Sequence, residues 1–265
     1  MALPASAYVP AGDGVWRSTE LTRGPWNPGH QHAGPPIALV ARQIERAAAP
    51  LGLTHVARLT ANLLRPIPIA DLSVLVQTDY AGRNSSHLSA TLSSGGKEVA
   101  RCTALVQREA QLALPEDLPG HPLPRAPRPP EESAPTKFPF ASKLGYADLV
   151  ETRVAEGAFF RGPCAVWFRL RRPLIEGEAP SPIELVAATA DSGNGISAIL
   201  DFKRYLFLNS DLSINLLRRP EGEWICIEAR TLWGPASGGL AEARIYDSAG
   251  LVGRSTQSLT LRLRD

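Results

Sequence analysis

Cys102, Cys164 and Cys226 are the thiols of this 265-residue chain, and none stands in a Cys-x-x-Cys pair or beside a histidine. Their odd number and wide spacing argue against a disulfide framework or a zinc site and point to buried structural thiols. No Gly-x-Ser-x-Gly elbow is present, so the sequence offers no support for a covalent nucleophile. His30 and His32 lie two apart in a loop without a carboxylate or third ligand beside them, and no metal is expected there. His32 more readily borders the start of the helix that follows, where Gly34 and the first-turn amides could contact a ligand or donate to an oxyanion. A carboxylate acting on water is the economical alternative, and its geometry must come from the fold.

The fold is announced by a repeat. Thr60-Ala61-Asn62-Leu63-Leu64-Arg65 returns as Ser213-Ile214-Asn215-Leu216-Leu217-Arg218, and Val99-Ala100-Arg101-Cys102-Thr103 returns as Val252-Gly253-Arg254-Ser255-Thr256. Both matches share one offset of about 153 positions, the signature of a duplicated supersecondary unit. In the first copy, Gly34-Pro35-Pro36 opens a helix with Ile37, Val40, Ala41, Ile44, Ala47 and Ala48 on its apolar face, ending near Pro50-Leu51-Gly52. Strands are predicted over 56–64, 72–80, 86–92 and 98–107, with Gly95-Gly96 at a hairpin turn. In the second copy a helix is predicted from Ile183 to about Thr189, broken by Asp191-Ser192-Gly193-Asn194-Gly195, and strands over 205–217, 224–232, 240–246 and 252–263. Asp247-Ser248-Ala249-Gly250 is the corresponding turn, and strand-like pieces over 15–21 and 159–170 precede the helices. One helix wrapped by an antiparallel sheet, twice over, predicts an α+β fold of two merged sheets.

The segment 112–137 carries prolines at 115, 119, 122, 124, 127, 129, 130 and 135, too many for regular structure, and is read as an extended strap between a first unit (1–111) and a second (138–265). A formal charge of +2 without long basic runs leaves no electrostatic footprint for nucleic acid. No stretch approaches the roughly 18 apolar residues of a spanning helix, and residues 1–14 lack the pattern of a secretory leader, so no membrane span and a cytoplasmic location are expected.

Nearly the whole chain resembles the acyl-CoA thioesterase II family, on the strength of Gln31-His32-Ala33-Gly34-Pro35-Pro36, the Asn-Leu-Leu-Arg-Pro core of 59–66, the run 202–218, and Gly253-Arg254-Ser255-Thr256-Gln257. The resemblance implies two tandem hot-dog units, each a long helix cradled in a curved antiparallel sheet, an acyl-CoA substrate and no cofactor. It further implies an active-site trio in the second copy, with the carboxylate on Asp191 and the carboxamide on Gln257. The position that usually holds Thr in the family is Asn209 here. In that scheme Asp191 accepts a proton from water while Gln257 and Asn209 orient it, and burial beside an apolar groove should raise the Asp191 pKa. Gln257 corresponds to Ala104 of the first copy, as an active half and a scaffold half would require.

Each of these residues also has a plainer reading: Asp191 as a helix-terminating turn residue, Gln257 as a solvent-facing strand position, Asn209 as a turn residue before Ser210-Asp211. A non-catalytic acyl-CoA or acyl-carrier binding protein on the same fold is one alternative. Another follows from Gly24-Pro25-Trp26-Asn27-Pro28-Gly29-His30, which echoes the Gly-Asp-x-Asn-Pro-x-His element of hot-dog enoyl-CoA hydratases, with Pro25 where the catalytic Asp would stand. Because hot-dog sheets commonly pair edge to edge and the repeat already supplies one such pairing, a homo-oligomer is expected to form through other surfaces.

Overall fold

The computed structural model describes residues 3–110, 112, 113, 115, 123–138 and 143–264. The first unit starts with two short strands, β1 (Tyr8–Pro10) and β2 (Val15–Ser18), followed by helix α1 (Gly34–Ala48) and strands β3 (His55–Leu63), β4 (Asp71–Ala81), β5 (Ser85–Ser94) and β6 (Lys97–Gln107). Pro35 and Pro36 are accommodated in the first turn of α1, where their missing N–H groups would have no intrahelical partner. Gly95 and Gly96 both take positive φ, 54° and 73°, in the two-residue turn joining β5 to β6, as the handedness of a tight hairpin demands.

A short edge strand, β7 (Ala134–Thr136), lies inside the segment expected to be irregular, and corrects that expectation at its C-terminal end. Pro135 is tolerated because β7 pairs with a neighbour on one side alone, so the missing N–H can face away from the ladder. Pro119 and Pro122 of the expected strap fall outside the described residues. The second unit then runs through a single helical turn α2 (Tyr146–Leu149), strands β8 (Val150–Glu156) and β9 (Cys164–Leu170), helices α3 (Pro182–Ala190) and α4 (Gly193–Ser197), and strands β10 (Tyr205–Asn209), β11 (Asp211–Leu216), β12 (Ile225–Trp233), β13 (Gly238–Asp247) and β14 (Gly250–Leu263). A helix turn thus resumes at Gly193 where the sequence predicts a turn, and the strand predicted over 205–217 is split at Ser210.

The strands form one antiparallel sheet in the order β1-β2-β4-β5-β6-β3-β11-β14-β13-β12-β9-β8-β7, with β10 added on β14. Its centre is the β3–β11 seam, where Thr60 faces Ser213, Asn62 faces Asp211 and Arg58 faces Asn215. Thr60 and Ser213 are themselves repeat partners, so a pseudo-twofold axis passes through that pair. Register agrees on both sides of it: Asn62 faces Arg101 as Asn215 faces Arg254. Asn62 and Asn215 therefore occupy equivalent positions, and the fold is the double arrangement the repeat predicts.

The sheet wraps α1 and α3. Ile183 to Ala190 are all buried, which is why α3 has no polar stripe. The two helices run antiparallel in close contact: Ser181 at the start of α3 donates to Glu45 near the end of α1, while Gly34 at the start of α1 lies against Ala188 near the end of α3. A Cβ on Gly34 would stand 2.2 Å from the Ala188 carbonyl oxygen, so this approach requires glycine. All three cysteines are buried, and burial pushes the Cys102 thiol up to about 12 and the Cys164 thiol to about 11.

Candidate active site

The contact between the helix ends delivers a carboxylate to the start of α1. Asp191, which caps α3, is 5% exposed, and its two oxygens meet four donors. Oδ2 lies 3.0 Å from His32 Nδ1 and 3.1 Å from the Gly34 amide. Oδ1 accepts from Asn209 Nδ2 at 2.8 Å and from Gln257 Nε2 at 3.3 Å. A carboxylate has about four lone-pair sites, and here all of them are occupied. The Gly34 nitrogen is also 3.1 Å from His32 Nδ1. An unprotonated Nδ1 would set its lone pair against the carboxylate, so Nδ1 carries the hydrogen and the Gly34 N–H bonds Asp191.

Burial alone would push the Asp191 carboxyl up. The His32 imidazole, the Asn209 amide and the Gly34 N–H outweigh it and hold the group below the usual carboxylate range. The expectation that desolvation would raise this pKa is therefore reversed, because the fold supplies more donors than the sequence revealed.

The amides have different tasks from those expected of them. Gln257, 1% exposed on β14, donates to the Asp191 carbonyl as well as to its carboxylate, and its Oε1 accepts the Asn194 amide at 3.0 Å. Both ends are engaged, so Gln257 locks Asp191 to the first turn of α4. The solvent-facing reading of Gln257 does not hold. Asn209 is aimed inward by a bulge. Between the pairs Asn209–Leu259 and Ser213–Thr256 the β10–β11 run holds one residue more than β14, and Asp211 receives the displaced Ser258 amide and hydroxyl. The first unit has its bulge at the equivalent place, between Val56 and Arg58, with Val56 in the position of Asn209.

The first turn of α1 offers no free donor to an oxyanion, which corrects that expectation for Gly34. Its amide is committed to Asp191, Pro35 and Pro36 have none, and the Ile37 amide returns to the Ala33 carbonyl. His32 is placed by its ring, stacked on Tyr146 with centroids 3.9 Å apart and planes 7° apart. Tyr146 is fixed in turn by donating to the Ala188 carbonyl at 2.8 Å, and burial pushes its phenol up. Tyr146 and Asn194 went unrecognised in the sequence: Tyr146 lies on a four-residue helix without periodicity, and Asn194 acts through its backbone.

The cluster forms one wall of a cavity of about 420 Å³ that draws on both units, with Trp26, Leu63, Ile67, Phe202 and Leu208 among its apolar lining. Pro25 lines it too, and a proline cannot transfer the proton that the hydratase element needs. The pseudo-symmetric location, lined by Val56 and Leu216 in place of Asn209 and Leu63, is a void of about 10 Å³. His30 lines the larger cavity, and among the described residues no group of three or more His, Cys, Asp or Glu side chains could hold a metal.

Two family models match the chain. The model of the acyl-CoA thioesterase N-terminal domain matches residues 22–107, and that of the acyl-CoA thioesterase C-terminal domain matches residues 115–261. No protein of curated function matches the sequence significantly. Among solved structures, a hot-dog protein of unknown function from Alicyclobacillus acidocaldarius is 16% identical with a TM-score of 0.73, covering 98% of this chain and 97% of its own. A candidate thioesterase II from Thermobifida fusca is 15% identical with a TM-score of 0.75, over 97% and 96% of the two chains. The acyl-CoA thioesterase II TesB2 of Mycobacterium marinum is 16% identical with a TM-score of 0.66, over 97% and 96%. At these identities the structural likeness is one of fold, the double hot-dog.

Proposed function

Because this chain belongs to the acyl-CoA thioesterase family, matched over both of its halves, we propose that it hydrolyses acyl-CoA thioesters with a water activated by the Asp191 carboxylate. The observation that carries this reading is a buried, ionised carboxylate with four donors on the wall of a predominantly apolar cavity. Holding a charge in such a place is costly unless it is fully hydrogen-bonded, and a protein that only sequestered acyl chains would have no use for it. The water oxygen adds to the thioester carbonyl, the carbon–sulfur bond breaks, and the products are the free acid and the CoA thiol. Gly34, Asn209 and Gln257 act through Asp191 by fixing its orientation and its charge. The acyl chain lies along Trp26, Phe202 and Leu208, and no cofactor takes part.

The test is thiol release from a series of acyl-CoA esters of increasing chain length, read with a thiol-reactive chromophore. Release from at least one ester, lost in Asp191→Asn, supports the reading. Binding of acyl-CoA by calorimetry with no thiol released from any ester replaces it with a binding protein. A homo-oligomer that leaves the β3–β11 seam buried within each chain belongs to the same proposal, and light scattering that shows a monomer removes it.

A further inference from the structure

We propose that the water's proton is taken by His32 Nε2, and that Asp191 activates water through this imidazole rather than by direct contact; the inference rests on the thioesterase reading above. The argument starts from occupancy. All four lone-pair sites of Asp191 face donors of the protein, and the side chain is 5% exposed, so a water could reach the carboxylate only by displacing one of its partners. His32 is the partner with a second functional end. Its Nδ1 hydrogen points to Asp191 Oδ2 at 3.0 Å, which fixes the tautomer and leaves Nε2 with an unshared pair. Among the described residues Nε2 has no hydrogen-bond partner, and the His32 side chain keeps 11% of its surface exposed. His32 lines both the 420 Å³ cavity and a smaller one of about 180 Å³ beside it.

The ring is also held rigidly, as a base must be to meet a small nucleophile at the right angle. It is clamped by the Tyr146 ring on one face and by the Asp191 carboxylate at Nδ1. The titratable and charged groups that face it are Asp191 and Tyr146 by direct contact, His30, Arg65 and Arg262 across the larger cavity, and Arg23 and Lys143 across the smaller. The step balances without a co-reactant. Neutral His32 accepts a proton from water at Nε2, the hydroxide oxygen bonds to the thioester carbon, and the carbonyl pair moves to oxygen. When the tetrahedral intermediate collapses, the sulfur leaves with the carbon–sulfur pair and receives the proton back from Nε2.

The test combines variants with a readout independent of turnover. His32→Gln keeps an amide donor for Asp191 but has no base, and should lower kcat by roughly 10²- to 10⁴-fold with little change in KM. His32→Ala should regain part of its rate with added imidazole, which a purely structural histidine would not allow. The wild-type kcat profile should show an acid limb that the His32→Gln profile lacks. A His32→Gln enzyme of near wild-type kcat and unchanged acid limb would return the proton to Asp191 and overturn the proposal. Nitrogen-15 NMR of the wild-type protein decides the matter even without an identified ester: the proposal requires a protonated Nδ1 and a bare Nε2 at neutral pH. The opposite tautomer overturns it, whereas the required tautomer with no thiol released from any ester overturns the thioesterase reading on which it rests.

Discussion

His32 Nδ1 and Asp191 Oδ2 lie 3.0 Å apart although the two residues belong to different halves of the chain. His32 precedes α1 and Asp191 ends α3, so the pair exists only because the antiparallel helices meet end to start. The site is a property of the joined halves.

That junction should fail on a single methyl group. Gly34→Ala would set a Cβ 2.2 Å from the Ala188 carbonyl oxygen, and backbone on both sides leaves it nowhere to go. The helices must separate, carrying the Gly34 amide away from Asp191. We expect a loss of a few kcal/mol, on the scale of overpacking a core, together with loss of turnover, measured by urea unfolding and thiol release.

Asp191→Asn should cut turnover by roughly 10²- to 10⁴-fold, whichever atom receives the proton, because the amide removes the negative charge that makes the cluster basic. Far-ultraviolet circular dichroism should be unchanged. Wild-type turnover in this variant would leave Asp191 as a turn residue.

At Asn209 the amide donates to Asp191 Oδ1 at 2.8 Å. Asn209→Ala leaves the buried carboxylate one donor short, a cost of about 1–3 kcal/mol. It should lower the rate and move its acid limb to higher pH. Asn209→Thr restores a donor and should recover much of the loss, whereas Val56 at the equivalent bulge should tolerate Val56→Ala without a change in rate. Equal rates for wild type and both Asn209 variants would show that this hydrogen bond is irrelevant to turnover.

Stability should be lost on acidification. Burial pushes Asp247 up, but Arg218, bonded to it at 2.5 and 2.6 Å, and two backbone amides hold it below the usual range, as Asp191 is held. A folded pKa below the unfolded one gives stability that is fully present above the ordinary carboxylate range and is lost as the pH falls through the folded pKa. Arg218→Met strands a buried carboxylate and should cost about 3–5 kcal/mol at neutral pH. Much of that deficit should vanish in acid, where Asp247 is protonated. Urea midpoints of the two proteins across pH check both the magnitude and the sign.

Much of the fold could be read locally. Apolar spacing marks α1, paired glycines mark the β5–β6 turn, and the constant offset foretells the symmetric register at Thr60–Ser213, since each depends on near neighbours or on internal comparison. Asp191, Gln257 and Asn209 were found through family resemblance, and the structure brings all three together. Their division of labour was not legible. Which way the Gln257 amide faces is decided by Asn194 on α4, a helix hidden behind two glycines, and the aim of Asn209 is decided by a bulge that strand periodicity cannot register. The pairing of His32 with Asp191 depends on a helix crossing that no local pattern encodes.

The axis through Thr60 and Ser213 carries a further implication for how such a site can change. In a dimer of identical subunits every substitution appears at both pockets, so an improvement in one that harms the other is opposed by its own copy. Within a single continuous chain the two places are free to drift apart. Gln257 can stand opposite Ala104 and Asn209 opposite Val56, and one pocket can close to about 10 Å³ and become packing while its twin stays open at about 420 Å³. Fusion has here exchanged a second reaction centre for a solid abutment under the first.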